Sequence, residues 1–409
     1  HRDLHSFPTR RSSDLFDFTI EGLTYFKVLG YLLLLVLMIH FLLKQIHMDV
    51  IDRMILLLGA IFLVCAASQL INKSFVLFYL IKLVMIFAMI VSIRVFITRL
   101  EDLKFVLWIL ALAGMVAAGI TIYEVILNPD IKRAEGSLGN PNNTAAIFCM
   151  LLPFSTVLLG RKSGWQGLMF SALVALFLMT AIFLTASRGA LLTLIAVAAA
   201  ALIMFRMKGK IITISLLLFS VLLFYTLFDN YQGLKRYEQL LNSGNVIETE
   251  AVQVRLEITA IGLQLFMDNP VWGVGAGSFQ SETKDMETEY NGYLYSGIAP
   301  HNMYTQILAE LGMVGFLLFG WFYFTIFEYI FSCVRHSAPE IRRVAKMLLF
   351  SFIAIMVSMV TSGNYVSTFI YIVAGFSLVL KNLAMNRAAG ASASLYAGAP
   401  LPGKIRYQV

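Results

Sequence analysis

Long uninterrupted runs of apolar residues alternate with short polar connections along most of this chain. The runs are long enough for helices that cross a bilayer, which takes about 20 residues each. They lack the alternation with period two that is typical of a membrane β-barrel. The pattern therefore predicts an all-α polytopic membrane protein with about eleven transmembrane helices. The predicted spans are 23–43, 54–71, 74–97, 103–127, 142–160, 165–186, 189–206, 211–228, 303–332, 346–361 and 367–385.

The segment 229–301 is the one long hydrophilic region between predicted spans, and its ten acidic residues outnumber its four basic residues. Inside it, apolar residues recur at helical spacing at Val254, Ile258, Ile261 and Leu265. They predict an amphipathic helix that lies on the membrane or on the bundle. Asn269-Pro270 is expected to end that helix, and the glycine-rich run 273–277 is expected to be a tight connection.

Composition agrees with a protein that lies in lipid, since 59% of its residues are hydrophobic and 13% are charged, against about 25% charged in soluble domains. The net charge of +7 does not indicate a nucleic-acid partner, because basic residues cluster in every second connection between spans. Such clusters face the cytoplasm. The connections expected outside are 72–73, 128–142, 187–189, 229–301 and 362–366.

The chain divides by this pattern into five parts. Residues 1–15 are polar and basic without an apolar period, and we interpret them as a non-native or disordered segment. Transmembrane helices are expected over 16–228, the extracytoplasmic loop over 229–301, further transmembrane helices over 302–387 and a cytoplasmic tail over 388–409. The odd number of spans leads us to expect that a native N-terminal helix is missing.

The predicted outer connections carry polar residues suited to an anionic ligand. Asn140-Pro141-Asn142 predicts a turn and a capped helix start, and Arg133 precedes it. Arg188 lies in a tight turn on the outer side, against the basic trend, and its planar guanidinium suits a phosphate. The structural alternatives are a loop with a helix cap for the first set and a side chain that reaches the headgroups for Arg188.

Two further candidates come from the long loop and its end. Arg255 lies on the predicted amphipathic helix, and taken alone it is explained as an exposed ion pair. His301 directly precedes Asn302, a predicted N-cap where the chain re-enters the membrane. A neutral histidine there can accept a proton, although a single loop histidine is more often structural.

Ionisable residues inside predicted spans are often functional. Glu310 is such a residue, and Lys82 and Glu124 are others, each with the alternative of a bond to a neighbouring helix. The sequence has no P-loop and no cysteine and histidine spacing typical of a metal site. A reaction without a metal would have to stabilise negative charge with arginine.

Four stretches, EGSLGNPNNTAA, TASRGALLTL, NPVWGVGAGSF and HNMYTQILAELGMVGFLLF, together resemble the O-antigen ligase/polymerase superfamily over about residues 100–385. The resemblance implies about twelve spans with both ends inside and a metal-independent, inverting glycosyltransferase without a cofactor. Its donor would be a glycan on undecaprenyl diphosphate, bound and stabilised as it leaves by Arg188 and Arg255. His301 would activate or orient the acceptor hydroxyl. The predicted substrate-binding residues are Arg133, Asn140, Asn142, Asn302 and Glu310.

The resemblance also implies a bacterial inner-membrane protein whose active site lies on the extracytoplasmic face. A ligase, a polymerase and a protein O-glycosylase differ in the acceptor, and we favour the ligase slightly. A lipid-linked glycan flippase is an alternative, but it predicts repeats and broken helices that the pattern does not indicate. A non-catalytic scaffold of a polysaccharide export complex is another alternative.

Overall fold

The computed structural model of this protein describes residues 52–74, 76–136, 139–158, 164–205, 207–228, 230–234, 237, 250–284, 288–290, 293–295, 299–361 and 365–397. These residues form a helical bundle. Its helices are α1 (Arg53–Ile71), α2 (Leu77–Phe96), α3 (Leu100–Leu127), α4 (Pro141–Leu151), α5 (Trp165–Leu184), α6 (Arg188–Met204), α7 (Met207–Leu227), α8 (Glu250–Asp268), α9 (Phe279–Glu282), α10 (Met303–His336), α11 (Pro339–Ser358) and α12 (Thr368–Ala397). The predicted span 23–43 and the segment 1–15 lie outside the described residues.

Helix bounds follow the apolar runs closely, with departures that have local causes. After α4 the chain continues as a 3₁₀ helix, Leu152–Leu158, because Pro153 has no N–H to donate to the α-helical hydrogen-bond ladder. Helix α11 begins seven residues before the predicted span, with Pro339 in its first turn, a favoured position for proline.

Seven helices of the described residues are long and apolar enough to cross a membrane: α1, α2, α3, α5, α10, the part Gly209–Leu227 of α7 and the part Thr368–Arg387 of α12. Helix α6 is apolar but has 17 residues. The all-helical membrane fold is thus confirmed, while the total of eleven spans stays a prediction. One departure is a short antiparallel hairpin of β1 (Thr288–Tyr290) and β2 (Tyr293–Tyr295) in the hydrophilic region.

The connections predicted to lie outside meet at one end of the bundle. The amide of Ala134 donates to the carbonyl of Leu184 at 3.1 Å, and the amide of Met303 donates to the carbonyl of Met359 at 3.0 Å. The side chain of Asn72 donates to the carbonyl of Gly273 at 3.0 Å. Segments far apart in sequence are therefore held together at this end, which we call the loop end.

The opposite end carries the predicted cytoplasmic charges. Lys381 of α12 forms an ion pair with Asp52, just before α1, at 2.9 Å. Lys346 of α11 donates to the carbonyl of Met204 at the end of α6 at 3.3 Å. The alternation of basic and non-basic connections along the sequence thus corresponds to two ends of the molecule.

Helix α8 packs against the bundle through its own predicted apolar stripe. Ile258 and Leu265 are buried together with Ala309 of α10 and Phe279 of α9. A Cβ placed on Gly262 would lie 2.6 Å from a methyl carbon of Thr305, so only glycine permits this approach of α8 to α10. The helix ends at Asp268, directly before Asn269-Pro270, as predicted.

Candidate active site

The start of α10 presents His301 at the loop end. The side chain of Asn302 caps the helix by accepting from the amides of Tyr304, at 3.0 Å, and Thr305, at 3.3 Å. This confirms the predicted N-cap, and it leaves His301 one residue before the cap, outside the span. The bond from the Met303 amide to Met359 fixes this start against the end of α11.

A cavity of about 460 Å³ opens beside His301. Its volume lies within the range of small-molecule binding sites. The lining residues come from α2, α4, the end of α11, the start of α12 and the segment before α10. The polar ones among them are Lys82, Asn140, Asn142, Asn143, His301, Ser358, Ser367 and Thr368. The cavity therefore joins one histidine to several amide and hydroxyl groups, which suit a ligand rich in hydroxyls.

Asn140 and Asn142 reach this cavity because α4 starts there. The side-chain oxygen of Asn140 accepts from the amides of Asn142, at 3.0 Å, and Asn143, at 3.2 Å, and Pro141 occupies the first turn. The turn and helix cap predicted from Asn140-Pro141-Asn142 are confirmed.

Asn142 links α4 to the turn before α6. Its side-chain oxygen accepts from Arg133, at 2.6 Å, and from the hydroxyl of Ser187, at 2.9 Å. Arg133 also donates to the carbonyl of Thr185 at 3.2 Å. Since the amide oxygen of Asn142 receives two donors, its NH₂ group is the part that can donate to a ligand in the cavity.

Arg188 is the first residue of α6, and its two neighbours in sequence fix its position. Ser187 caps the helix through its hydroxyl and bonds Asn142. Gly189 faces Thr361, and a Cβ on this glycine would lie 2.1 Å from the Thr361 hydroxyl oxygen. The backbone at Arg188 thus lies between the Asn142 network and the turn that follows α11, and Ser358 and Met359 at the end of α11 line the cavity.

Arg255 acts on His301 through its charge. Burial, first, and the positive charge of Arg255, second, hold the pKa of His301 below its ordinary value of 6.5. Both effects disfavour the imidazolium form. His301 is therefore neutral at neutral pH, the state in which an imidazole can accept a proton.

Glu310 is only 1% exposed, and its carboxylate binds four donors. These are the amides of Gly277, at 2.6 Å, and Phe279, at 3.3 Å, the side-chain amide of Gln306, at 3.0 Å, and the hydroxyl of Tyr365, at 2.6 Å. The carboxylate thereby holds the glycine-rich connection and the segment before α12 against α10.

The predicted site residues fall into three groups. His301, Asn140 and Asn142 line the cavity, whereas Arg133, Arg188, Arg255, Asn302 and Glu310 do not. Arg133 and Arg188 lie next to it through Asn142 and Ser187, and Arg255 reaches His301 electrostatically. Glu310 lies two turns further along α10, inside the protein.

The structure adds Lys82 and Asn143 to the cavity. Lys82 stood out in the sequence as a charge inside an apolar run, but the sequence did not indicate what it faces. Glu124, a similar candidate, accepts from the amide of Gly136 at 2.8 Å and so holds the connection before α4. Among the described residues no group of three or more His, Cys, Asp or Glu is arranged to hold a metal ion.

Comparison with known families shows that residues 172–320 match a family described as O-Antigen ligase. The matched residues run from α5 into α10 and include Arg188, Arg255 and His301, whereas Lys82, Arg133 and Asn142 precede them. A comparison with curated proteins found no match. Over these residues the chain is similar to the O-antigen ligase family, and its apolar helices indicate a multi-pass membrane protein.

Proposed function

We propose that this protein transfers a glycan from undecaprenyl diphosphate to an acceptor hydroxyl at the loop end of its bundle, on the outer face of the bacterial inner membrane. The observation that carries the proposal is the cavity that joins His301 to Asn140 and Asn142, with Arg188 beside it and the charge of Arg255 acting on the histidine. A base, hydroxyl-binding amides and cations are the groups that such a transfer requires.

The donor side of the reaction needs positive charge where the diphosphate leaves. Arg188 and Arg255 are proposed to bind the diphosphate, each through a planar fork of donors that matches phosphate oxygens. As the bond from the anomeric carbon to the phosphate oxygen breaks, its electron pair stays on the diphosphate, and the two guanidinium groups stabilise that charge. With this charge stabilised by arginine, the proposed reaction proceeds without a metal ion.

The acceptor side needs a base. The acceptor oxygen attacks the anomeric carbon on the face opposite the leaving diphosphate, so that the configuration inverts. The hydroxyl proton passes to His301, whose neutral imidazole is available because burial and Arg255 keep its pKa low. The products are the glycan joined to the acceptor by a new glycosidic bond and free undecaprenyl diphosphate.

The remaining predicted residues are proposed to position the substrates. The amide groups of Asn140 and Asn142 donate to glycan hydroxyls in the cavity. Arg133 orients Asn142, and Asn302 holds the helix start that carries His301. For Glu310 the buried network favours a positioning role in place of the direct substrate contact expected from the sequence.

Transfer by the purified protein tests this proposal. The protein, in lipid nanodiscs with EDTA, is given a defined undecaprenyl-diphosphate glycan and, separately, a lipid A–core acceptor, a second lipid-linked glycan and a serine-containing peptide. We expect the glycan to join one of them with inverted configuration, and the acceptor used distinguishes ligase, polymerase and protein O-glycosylase. Movement of the lipid-linked glycan across liposomes without any joined product would contradict the proposal and favour a flippase.

A further inference from the structure

The cavity beside His301 carries a positive charge that the proposed transfer does not use. Lys82 lies in α2, about 7.5 Å along the helix from its start at 1.5 Å per residue, and it lines the cavity together with the asparagines at the start of α4. It is half-buried in a mostly apolar helix. A charged side chain at this depth is unfavourable unless it meets an opposite charge, water or a ligand.

The surroundings of Lys82 contain no counter-charge among the described residues. Its ammonium group lies 5.7 Å from the ring centre of Phe78, and within the described part of the chain no carboxylate forms an ion pair with it. The described residues that line the cavity include neither Asp nor Glu. Since Arg255 also acts on His301, which lines the same cavity, the cavity presents a positive field to a ligand that enters it.

From this arrangement we infer that Lys82 binds a phosphate group of the ligand that occupies the cavity, as a second anion-binding position apart from Arg188 and Arg255. A lysine ammonium is a compact charge that binds phosphate well. The phosphate has two possible sources, the lipid diphosphate of the donor and a phosphorylated acceptor. Lys82 would therefore determine which substrates the cavity accepts. The identity of these substrates rests on the proposed function. The position of the positive charge rests on the cavity.

Equilibrium binding to the full-length protein in nanodiscs tests the inference without turnover. The first pair of probes is undecaprenyl diphosphate and undecaprenol, and the second is core oligosaccharide with its phosphates intact or removed. The variants are Lys82→Met, Lys82→Arg and, as a control, Lys73→Met, which removes the same charge from an exposed position at the same end. Native mass spectrometry of the intact protein measures each dissociation constant.

We expect Lys82→Met to weaken the binding of one phosphorylated probe at least tenfold, to leave its neutral partner unchanged, and to be largely rescued by Lys82→Arg. The affected probe identifies the donor or the acceptor as the source of the phosphate. In transfer assays the KM of the same substrate should rise while kcat changes little. If both phosphorylated probes bind Lys82→Met and Lys73→Met equally well, the inference is wrong. A wild-type protein that binds these probes but transfers no glycan would instead refute the proposed function alone.

Discussion

If His301 is the base of the proposed transfer, its protonation state sets the pH dependence of the rate. Burial and the charge of Arg255 lower its pKa from 6.5, so the neutral base predominates at neutral pH. We predict that kcat/KM for transfer is constant around pH 7 and falls about tenfold per pH unit once the pH drops below the lowered pKa. A pH–rate profile of the wild-type protein measures this acid limb.

Replacing Arg255 tests whether its charge lowers the pKa of His301. Arg255→Gln removes one positive charge, so the pKa of His301 should rise towards its ordinary value and the acid limb should shift to higher pH. Arg255→Lys keeps the charge and should leave the midpoint near that of the wild type. The rate itself should fall in both variants, and the midpoint is the quantity to compare. A midpoint that is the same in all three proteins would refute the electrostatic coupling.

Arg188 is predicted to act through its donor fork as well as its charge. Replacing it with alanine should lower kcat by about 10²–10³-fold, the loss typical when a donor that stabilises the transition state is removed. Arg188→Lys should recover only part of this loss, because an ammonium cannot donate two parallel bonds. Size-exclusion profiles and melting temperatures like those of the wild type would show that folding is intact. Near-normal transfer by Arg188→Ala would exclude this role.

At the scale of elements, α10 is broken near its start so that the glycine-rich connection can enter it. Gly312 has φ 63° and ψ −161° inside the helix, a conformation that is essentially restricted to glycine. Around this break the amide of Met313 donates to the carbonyl of Pro270 at 2.8 Å. The amide of Gly275 donates to the carbonyl of Glu310 at 2.9 Å. Hydrogen bonds to the connection therefore replace some of the backbone hydrogen bonds within α10.

Gly312→Ala should destabilise the protein by at least about 2 kcal/mol, since the strained conformation alone costs about 1–3 kcal/mol. In addition, the new Cβ would lie 2.3 Å from the carbonyl oxygen of Val271. Gly320→Ala is the matched control in the same helix, because nothing lies within 4 Å of its added Cβ. It should be neutral or slightly stabilising. Thermal unfolding in one detergent compares the two, and equal melting temperatures would contradict the account of the break.

Periodicity and caps predicted much of this architecture, because they depend on neighbouring residues. The caps Asn140 and Asn302, the stop at Asn269-Pro270 and the stripe of α8 are local patterns of this kind. The hairpin also had a local signal, the Asn-Gly pair at 291–292 between two tyrosine-rich strands, which our prediction did not use.

What the sequence could not predict depends on contacts between distant segments. The break at Gly312 exists because residues 270–277 pack into it. A single glycine in a helical pattern does not indicate which distant segment will pack against it. For the same reason the network of Arg133, Asn142 and Ser187 was not predicted as a unit. Lys82 was noticed as an unusual charge, but only the folded bundle places it in the cavity with His301.

At the scale of the whole molecule, the basic connections predict the orientation in the membrane. We predict that a cysteine at Lys73, which is exposed at the loop end, reacts with a membrane-impermeant thiol reagent in intact spheroplasts. A cysteine at Glu101, whose side chain is 76% exposed near the opposite end, should react only after permeabilisation. Cys65, Cys149 and Cys333 are buried and should give little background. The reverse labelling would invert the topology and place the cavity in the cytoplasm.

Arg188 and Arg255, far apart in the sequence, are proposed to stabilise one departing diphosphate together. A double-mutant cycle tests this most directly, with kcat/KM measured for the wild type, Arg188→Ala, Arg255→Ala and the double variant. Residues that act as a unit show strongly non-additive effects. If both arginines act on one diphosphate, the double variant should be little slower than the slower single variant. A double loss equal to the product of the two single losses would mean that the arginines act independently and would refute their shared role.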